Sequence, residues 1–270
     1  MVDWRARFER FYSRRRGRLD RLRDVWSPQL RNRRDLVIYL PPAYGGRRRF
    51  PVVYMQDGQN LFDAGTSYAG EWGLRESLDA LTVKGVAAII VGVSNGGGER
   101  IAEYSPFVDA HDGGGRGDLY LSFLTDTVKP LIDGRFSTRP ERSQTGIAGS
   151  SMGGLISLYG CLRRPEVFGL AAALSPSVWF ADRAIIPFVA SAAFVPGRMY
   201  LDVGAQEGDR HVANARAVRD ALLAKSYSEG RDLQYVEDPC GAHDEAAWGR
   251  RFPRALSFLV AGSLPDRSEL

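Results

Sequence analysis

Gly149-Ser150-Ser151-Met152-Gly153 is the segment of this chain with the clearest structural meaning. It reads G-x-S-x-G and follows residues 142–149, which end in the apolar pair Ile147-Ala148. Residues 155–162 then carry apolar side chains at helical spacing. A serine on a tight turn between a strand and a helix needs small neighbours, and its hydroxyl stands exposed above the sheet. The segment therefore predicts a strained strand–helix turn with Ser151 as a nucleophile.

Strand-like and helix-like patterns alternate along the rest of the chain. The apolar pattern and the breakers along the chain predict strands at 20–26, 35–40, 51–55, 86–93, 142–149, 169–174, 198–203 and 233–236. They predict helices at 3–16, 71–81, 117–133, 155–162, 211–225 and 244–260, with a break near Pro130 in the third. Residues 176–196 between two strands are rich in aromatic side chains and suit a loop or lid. The alternation favours the α/β class, with a mostly parallel, doubly wound sheet flanked by helices.

Composition indicates a globular protein. The chain has 270 residues, 44% of them hydrophobic and 25% charged, which fits one α/β domain. No apolar run approaches the roughly 20 residues of a membrane span, and the N-terminus lacks the apolar segment of a secretion signal. The two cysteines, Cys161 and Cys240, can pair, but two free thiols in a reducing compartment are the simpler interpretation. We therefore expect a cytoplasmic protein.

Positive charge is concentrated at the N-terminus. Residues 1–34 contain 12 arginines and 4 acidic residues, so the remaining chain is negative although the total is +4. We divide the chain into a basic N-terminal helix or arm (1–24), a catalytic domain (25–264) and a C-terminal tail (265–270). An arm of this kind suits nucleic acid or a membrane surface, but no aromatic residues interleave the arginines as in nucleic-acid motifs. We expect no nucleic-acid partner, and either a monomer or a homodimer.

A serine nucleophile needs a base and an acid. In hydrolases built on such a turn, the acid follows the serine in the chain and the histidine comes last. His111 precedes the serine, and His211 leaves no room for an acid before it, whereas His243 follows the last predicted strand. The acid should follow the strand 198–203, where Glu207 is the first choice and Asp209 the runner-up. The candidate catalytic residues are therefore Ser151, His243 and one of these two carboxylates.

The developing oxyanion needs backbone N–H donors. One is Met152, directly after the nucleophile. The other should come from residues 56–62 after the strand 51–55, where Gly58 lets the backbone turn inward and Gln59 presents its N–H. This chemistry needs no metal and no cofactor, and the aspartates near glycines lack the spacing of a calcium loop.

Aromatic residues near the predicted sheet-edge loops are candidates for substrate binding. Trp179 follows the Ser175-Pro176-Ser177 turn and is the first choice, and Trp72 and Tyr68 are further candidates. For Trp248, on the last predicted helix, core packing is favoured. For Arg100 and Glu103 two roles stay open. One is to order the loop that contains them, and the other is to contact a polar substrate.

Several segments together resemble the esterase D-like branch of the α/β-hydrolases, which includes feruloyl esterases and siderophore esterases of the enterochelin type. They are Tyr39-Leu40-Pro41-Pro42, residues 54–62 (YMQDGQNLF), residues 149–154 (GSSMGG), Leu174-Ser175-Pro176-Ser177 and Gly241-Ala242-His243. The resemblance implies an α/β-hydrolase fold, Ser151, Glu207 and His243 as the triad, and Gln59 and Met152 as oxyanion donors. Many members of the family have Asp where Glu207 stands.

The expected activity is hydrolysis of a carboxylic ester through an acyl-enzyme, with a small-molecule ester as substrate. An acyltransferase with an alcohol acceptor is the first alternative, and a specialised siderophore or feruloyl esterase is another. A non-catalytic binding protein is disfavoured because serine, acid and histidine occur in a workable order.

Overall fold

A computed structural model describes residues 16–260 of the chain. The helix expected at residues 3–16 and the C-terminal tail therefore lie almost wholly outside the described residues.

Eight strands form one central sheet in the order β1-β2-β4-β3-β7-β8-β9-β10. Strands β1 and β2 pair antiparallel, as do β2 and β4, and the remaining neighbours are parallel. A separate two-stranded ribbon, β5 and β6, lies in a connecting segment. The strands are β1 (Arg18–Ser27), β2 (Asn32–Leu40), β3 (Val52–Met55), β4 (Ile89–Val93), β5 (Val108–Asp109), β6 (Gly113–Gly114), β7 (Thr145–Ser150), β8 (Leu170–Leu174), β9 (Arg198–Gly204) and β10 (Leu233–Asp238).

Helices cover both faces of this sheet. They are α1 (Leu74–Val83), α2 (Arg100–Glu103), α3 (Gly117–Ser122), α4 (Lys129–Arg135), α5 (Met152–Arg163), α6 (Ile185–Ser191), α7 (Asp209–Ala224) and α8 (Glu245–Val260). A π-helical segment, Phe123–Val128, joins α3 to α4, so the helical run continues through Pro130. The mostly parallel, doubly wound α/β fold predicted from the sequence is confirmed.

Alternating strand residues explain why both faces are covered. Val52 and Tyr54 of β3 belong to one buried cluster, whereas Val53 and Met55 belong to a second. Successive side chains of a strand point to opposite faces, so each apolar strand supplies two cores. Helix α5 packs in the first core, and helices α1 and α8 pack in the second.

Two expectations about the connecting segments need correction. Residues 18–24, which we assigned to the basic arm, belong to strand β1 and pair with β2, so the folded domain begins earlier than residue 25. Residues 185–191 form helix α6 instead of a loop or lid, because Ile185 and Val189 are buried in the first core.

Neither cysteine forms a disulfide: Cys161 is buried and Cys240 is exposed, and both are free. Within residues 16–260, no helix combines the length and apolar character needed to cross a membrane.

Candidate active site

Ser151 occupies a strained turn between β7 and α5. Its backbone has φ 56° and ψ −123°, a conformation that L-residues rarely adopt. A Cβ on Gly149 would lie 2.8 Å from the carbonyl carbon of Gly153, so this turn closes only with glycine at that position. The Ser151 N–H donates to the carbonyl of Leu174 at the end of β8 (3.0 Å). The turn thus holds the hydroxyl at the carboxyl edge of the sheet.

Ser151, His243 and Glu207 form a continuous chain of hydrogen-bonding side chains. Nε2 of His243 lies 3.1 Å from the Ser151 Oγ, and Nδ1 of His243 lies 2.7 Å from Oε2 of Glu207. Glu207 comes from the short 3₁₀ turn after β9, and His243 from the loop after β10. Asp209, the runner-up, is exposed at the start of α7, and both ring nitrogens of His243 already face other partners. The structure therefore brings together the first-choice residues.

The Glu207 carboxylate is almost fully buried and accepts several hydrogen bonds. Its Oε1 accepts hydrogen bonds from the Gly204 N–H (2.8 Å) and from the Ser175 hydroxyl. Burial by itself raises the pKa of Glu207, but the hydrogen bonds from His243, Ser175 and Gly204 outweigh it and lower the pKa below its ordinary value. Glu207 is thus held as an anion that faces Nδ1 of His243.

A buried polar network lies behind Glu207. Because the Ser175 hydroxyl donates to Glu207, its oxygen accepts from Nη2 of Arg251 (2.8 Å) and Nε1 of Trp248 (3.1 Å). Nε of Arg251 also lies 3.5 Å from Oδ2 of Asp202. Burial raises the pKa of Asp202 to about 7, although the Arg251 charge opposes this rise. Nη2 of Arg251 also lies 3.6 Å from Oε1 of Glu207, so Arg251 is the cation shared by Asp202 and Glu207. The sequence did not indicate this role.

Loss of the Arg251 guanidinium should therefore destabilise the protein. We expect Arg251→Ala to lower the free energy of unfolding by about 3–5 kcal/mol, because it leaves two buried carboxylates without their cation. Urea denaturation followed by circular dichroism measures this. Arg250→Ala is the matched control, since Arg250 is the preceding residue of α8 and is exposed. Equal stability of the two variants would contradict the role assigned to Arg251.

Ser177 is a second contact of the Ser151 side chain. The two hydroxyl oxygens lie 3.1 Å apart, and the Ser177 N–H donates to the carbonyl of Ser151 (3.0 Å). Ser177 is buried. Nothing in the sequence indicated a role for the two serines of the Leu174-Ser175-Pro176-Ser177 segment, although both of them contact the site.

Gln59 and Met152, the two residues expected to supply oxyanion donors, both lie in helical turns that directly follow a strand or the Ser151 turn. Gln59 lies in a 3₁₀ turn, Gly58–Asn60, that follows β3, and Met152 is the first residue of α5. N–H groups in the first turn of a helix have no partner within the helix. A Cβ on Gly58 would lie 2.3 Å from the carbonyl carbon of Gly92, so glycine lets this turn press against β4.

Arg100 holds the start of this turn. Its Nε and Nη2 each donate to the Asp57 carboxylate at 2.8 Å, and Nδ2 of Asn95 donates to the same group at 2.6 Å. Asp57 itself adopts a left-handed conformation (φ 53°). Glu103 is fully buried and pairs with Arg34, so it orders its own segment and does not reach a substrate.

A cavity of about 820 Å³ opens in front of Ser151 and His243. Its aromatic lining comes from Trp72, Trp248 and Tyr68, and the Tyr68 side chain is 97% exposed at the surface. Trp72 and Tyr68 thus lie where they were expected. Trp248 is buried, as core packing predicts, and also lines the cavity. Its indole lies 4.9 Å from the His243 ring, between centroids.

Trp179, the first-choice substrate contact, does not line this cavity. Its ring is 38% exposed and packs edge-on against Phe180. The local reason is the helical turn Phe180–Arg183, which buries Phe180 in the first core and leaves Trp179 at the surface. The expectation for Trp179 is therefore not supported, and Trp248 takes its place in the cavity wall.

Polar groups complete the cavity wall. Asn60, Asn95, Arg100 and Glu245 all line it, and Nδ2 of Asn60 lies 3.4 Å from Oε1 of Glu245. Burial raises the pKa of Glu245 above its ordinary value, and the nearby Asp57 adds to this rise. The wall therefore combines indole surfaces with amide and carboxyl groups.

The parallel sheet and the strained serine turn between β7 and α5 define a protein of the α/β-hydrolase class. Within this class, the chain belongs to the esterase family described as "Putative esterase", whose model matches residues 27–259. It is a carboxylic ester hydrolase, as the sequence predicted.

Three relatives illustrate the similarity. The Bacillus subtilis (strain 168) protein YbbA, described as uncharacterized, is 29% identical over 243 residues, which is 84% of this chain and 92% of that protein. The siderophore enterobactin esterase of Emericella nidulans is 32% identical over 141 residues, half of this chain and 45% of the relative. The BES protein from Bacillus cereus has a similar structure, with a TM-score of 0.72 and 21% identity over 89% of this chain and 94% of the other.

Proposed function

We propose that the chain hydrolyses carboxylic esters through an acyl-enzyme formed on Ser151, with His243 as general base and Glu207 as the acid that orients it. The observation that carries this proposal is the continuous contact from the Ser151 Oγ to Nε2 of His243 (3.1 Å) and from Nδ1 to Glu207 (2.7 Å). Ser151 and His243 line the cavity of about 820 Å³. A serine hydroxyl becomes a strong nucleophile only when such a base accepts its proton.

The first half-reaction forms the acyl-enzyme. The Glu207 carboxylate keeps the proton of His243 on Nδ1, so Nε2 offers its lone pair to the Ser151 hydroxyl. As Oγ attacks the ester carbonyl, the proton moves to Nε2. With the Ser151 proton directed to Nε2, the contact between the two hydroxyl groups is made with Ser177 as the donor. The N–H groups of Gln59 and Met152 stabilise the oxyanion, together with the positive end of α5.

The first half-reaction ends when the tetrahedral intermediate collapses and His243 gives its proton to the departing alcohol. The second half-reaction releases the acid, and it begins when a water molecule enters beside Nε2. His243 takes a proton from this water as it attacks the acyl carbonyl, and returns it to Ser151 as the acyl group leaves. All proton transfers therefore pass through one nitrogen atom.

The size of the cavity suits a bulky substrate. Its volume of about 820 Å³ is at the upper end of small-molecule sites, and two indole rings and a tyrosine contribute to its wall. We propose siderophore-type esters, whose aromatic and amide groups match these rings and the side chains of Asn60 and Asn95, as the first substrate class to examine. We also propose the cytoplasm as the site of action, because both cysteines are free thiols.

Covalent labelling tests the proposed nucleophile. A fluorophosphonate probe should add one covalent group per chain, on the peptide that contains Ser151, because an activated serine attacks the phosphorus atom. His243→Ala should slow this labelling strongly. Tandem mass spectrometry locates the modified residue. Modification of Ser150 or Ser177 in place of Ser151, or an unchanged rate in His243→Ala, would refute the mechanism.

A product assay separates hydrolysis from acyl transfer. With p-nitrophenyl acetate as donor and glycerol as added acceptor, we expect acetate as the main product, since the proposal assigns the second attack to water. Predominant formation of the glycerol ester would favour an acyltransferase. Comparing acetyl, feruloyl, siderophore and glutathione thioester substrates by kcat/KM then identifies the acyl group.

A further inference from the structure

His211 is an imidazole beside the triad that the proposed mechanism does not use. It lies in the first turn of α7, and its ring faces the ring of His243 with 5.7 Å between centroids. It is half-buried, and its N–H donates to the carbonyl of Gly208 (3.0 Å), the residue after the 3₁₀ turn that carries Glu207. Two imidazoles and one carboxylate therefore meet at one point on the sheet edge.

The three side chains have the composition of a metal site. One ligand atom each from Glu207, His211 and His243 lie within 4.8 Å of one another. Ligand atoms of a tetrahedral Zn²⁺ shell lie about 3.3 Å apart, given bond lengths near 2.0 Å, so small side-chain rotations bring the three into range. Two nitrogen ligands favour Zn²⁺ or Cu²⁺, whereas Mg²⁺ and Ca²⁺ prefer oxygen.

We propose that Glu207, His211 and His243 form an inhibitory site for a borderline divalent cation, and that Zn²⁺ is the main cation that binds there. A cation on Nδ1 of His243 forces the ring proton onto Nε2, which then has no lone pair for the Ser151 hydroxyl. A cation on Nε2 takes that lone pair directly. With the cation on Nδ1, the hydrogen bond from Nδ1 to Glu207 is lost as well. Zn²⁺ therefore removes the base.

This inhibition rests on the proposed role of His243, but binding of the metal does not. Zn²⁺ affinity depends only on the three ligands, whether or not the chain turns over a substrate. Binding and inhibition must therefore be measured separately, so that failure of one does not obscure the other.

Inhibition is tested on the full chain with p-nitrophenyl acetate. Zn²⁺ should inhibit it saturably, and EDTA should restore the activity. His211→Gln should keep the basal activity and raise the Zn²⁺ concentration for half-inhibition at least about 10- to 100-fold, since loss of a ligand costs no less than loss of an outer-shell partner. Mg²⁺ should not inhibit. Equal inhibition of His211→Gln and the unsubstituted protein would overturn the proposal.

Two further variants separate this site from other metal-binding groups. His111→Gln removes an exposed histidine outside the cluster, and Cys240→Ser removes an exposed thiol three residues before His243. Both should remain as sensitive to Zn²⁺ as the unsubstituted protein. Loss of sensitivity in Cys240→Ser but not in His211→Gln would assign the effect to the thiol and reject the cluster.

Isothermal titration calorimetry of Zn²⁺ binding completes the test. Ser151→Ala, which retains all three ligands, should bind one Zn²⁺, and the double variant with His211→Gln should lose this event. Unchanged binding in the double variant would reject the site. If His211-dependent binding is found while hydrolysis does not depend on His243, the metal site stands and the proposed mechanism fails.

Discussion

Ser151→Ala is expected to lower kcat/KM for p-nitrophenyl acetate by about 10⁴- to 10⁶-fold, the range found when the nucleophile of a serine triad is removed. The reason is that no other described hydroxyl lies within hydrogen-bonding distance of Nε2 of His243. Some hydrolysis should persist above the background of water, because the cavity and the oxyanion donors remain. Steady-state kinetics measures the loss.

Ser150→Ala is the matched control for this variant. Ser150 precedes the proposed nucleophile in the same motif and is buried at the end of β7. It should keep activity within about tenfold of the unsubstituted enzyme, since it lacks contact with His243. Far-ultraviolet circular dichroism should be unchanged in both variants. A large loss in Ser150→Ala together with an active Ser151→Ala would move the nucleophile by one residue.

The parts of the site that follow a strand were predictable from the sequence. The eight strands of the main sheet were identified, most of them because apolar runs buried on both faces stand out from their surroundings. Strand β1 is the exception, since most of its residues are exposed or only partly buried. Parallel strands place their carboxyl ends at one edge, so the residues after β7, β9 and β10 had to lie near one another. Ser151, Glu207 and His243 follow these three strands, and this explains why order along the chain was sufficient to select them.

The supporting residues were not predictable, because nothing local marks them. Arg251 lies in the middle of α8, where an arginine normally belongs to a solvated face, and only the packing of this helix brings it to Ser175. Trp248 was assigned to the core because it lies on the same helix. A single tryptophan on a helix gives no indication that its indole both packs in the core and lines a cavity.

Trp179 illustrates the opposite error. It was favoured because it follows the Ser175-Pro176-Ser177 turn, near a predicted loop at the edge of the sheet. The turn Phe180–Arg183 contains left-handed residues, Ala181 and Asp182, and this reversal buries Phe180 while Trp179 stays at the surface. Non-glycine residues in this conformation are uncommon, so a sequence pattern does not predict them.

Glu207→Gln is expected to lower kcat by about 10³- to 10⁴-fold, whereas Asp209→Asn should leave it nearly unchanged. Glutamine keeps the shape of Glu207, but its amide group donates a hydrogen bond where the carboxylate accepted one. The neutral imidazole of His243 then carries its proton on Nε2 and cannot receive the proton of Ser151. Asp209 is exposed and its carboxylate has no part in this chain of contacts. The loss should appear in kcat more than in KM, because the charge on His243 develops only as the reaction proceeds. If Asp209→Asn were the more damaging substitution, the acid would have to be reassigned to the start of α7.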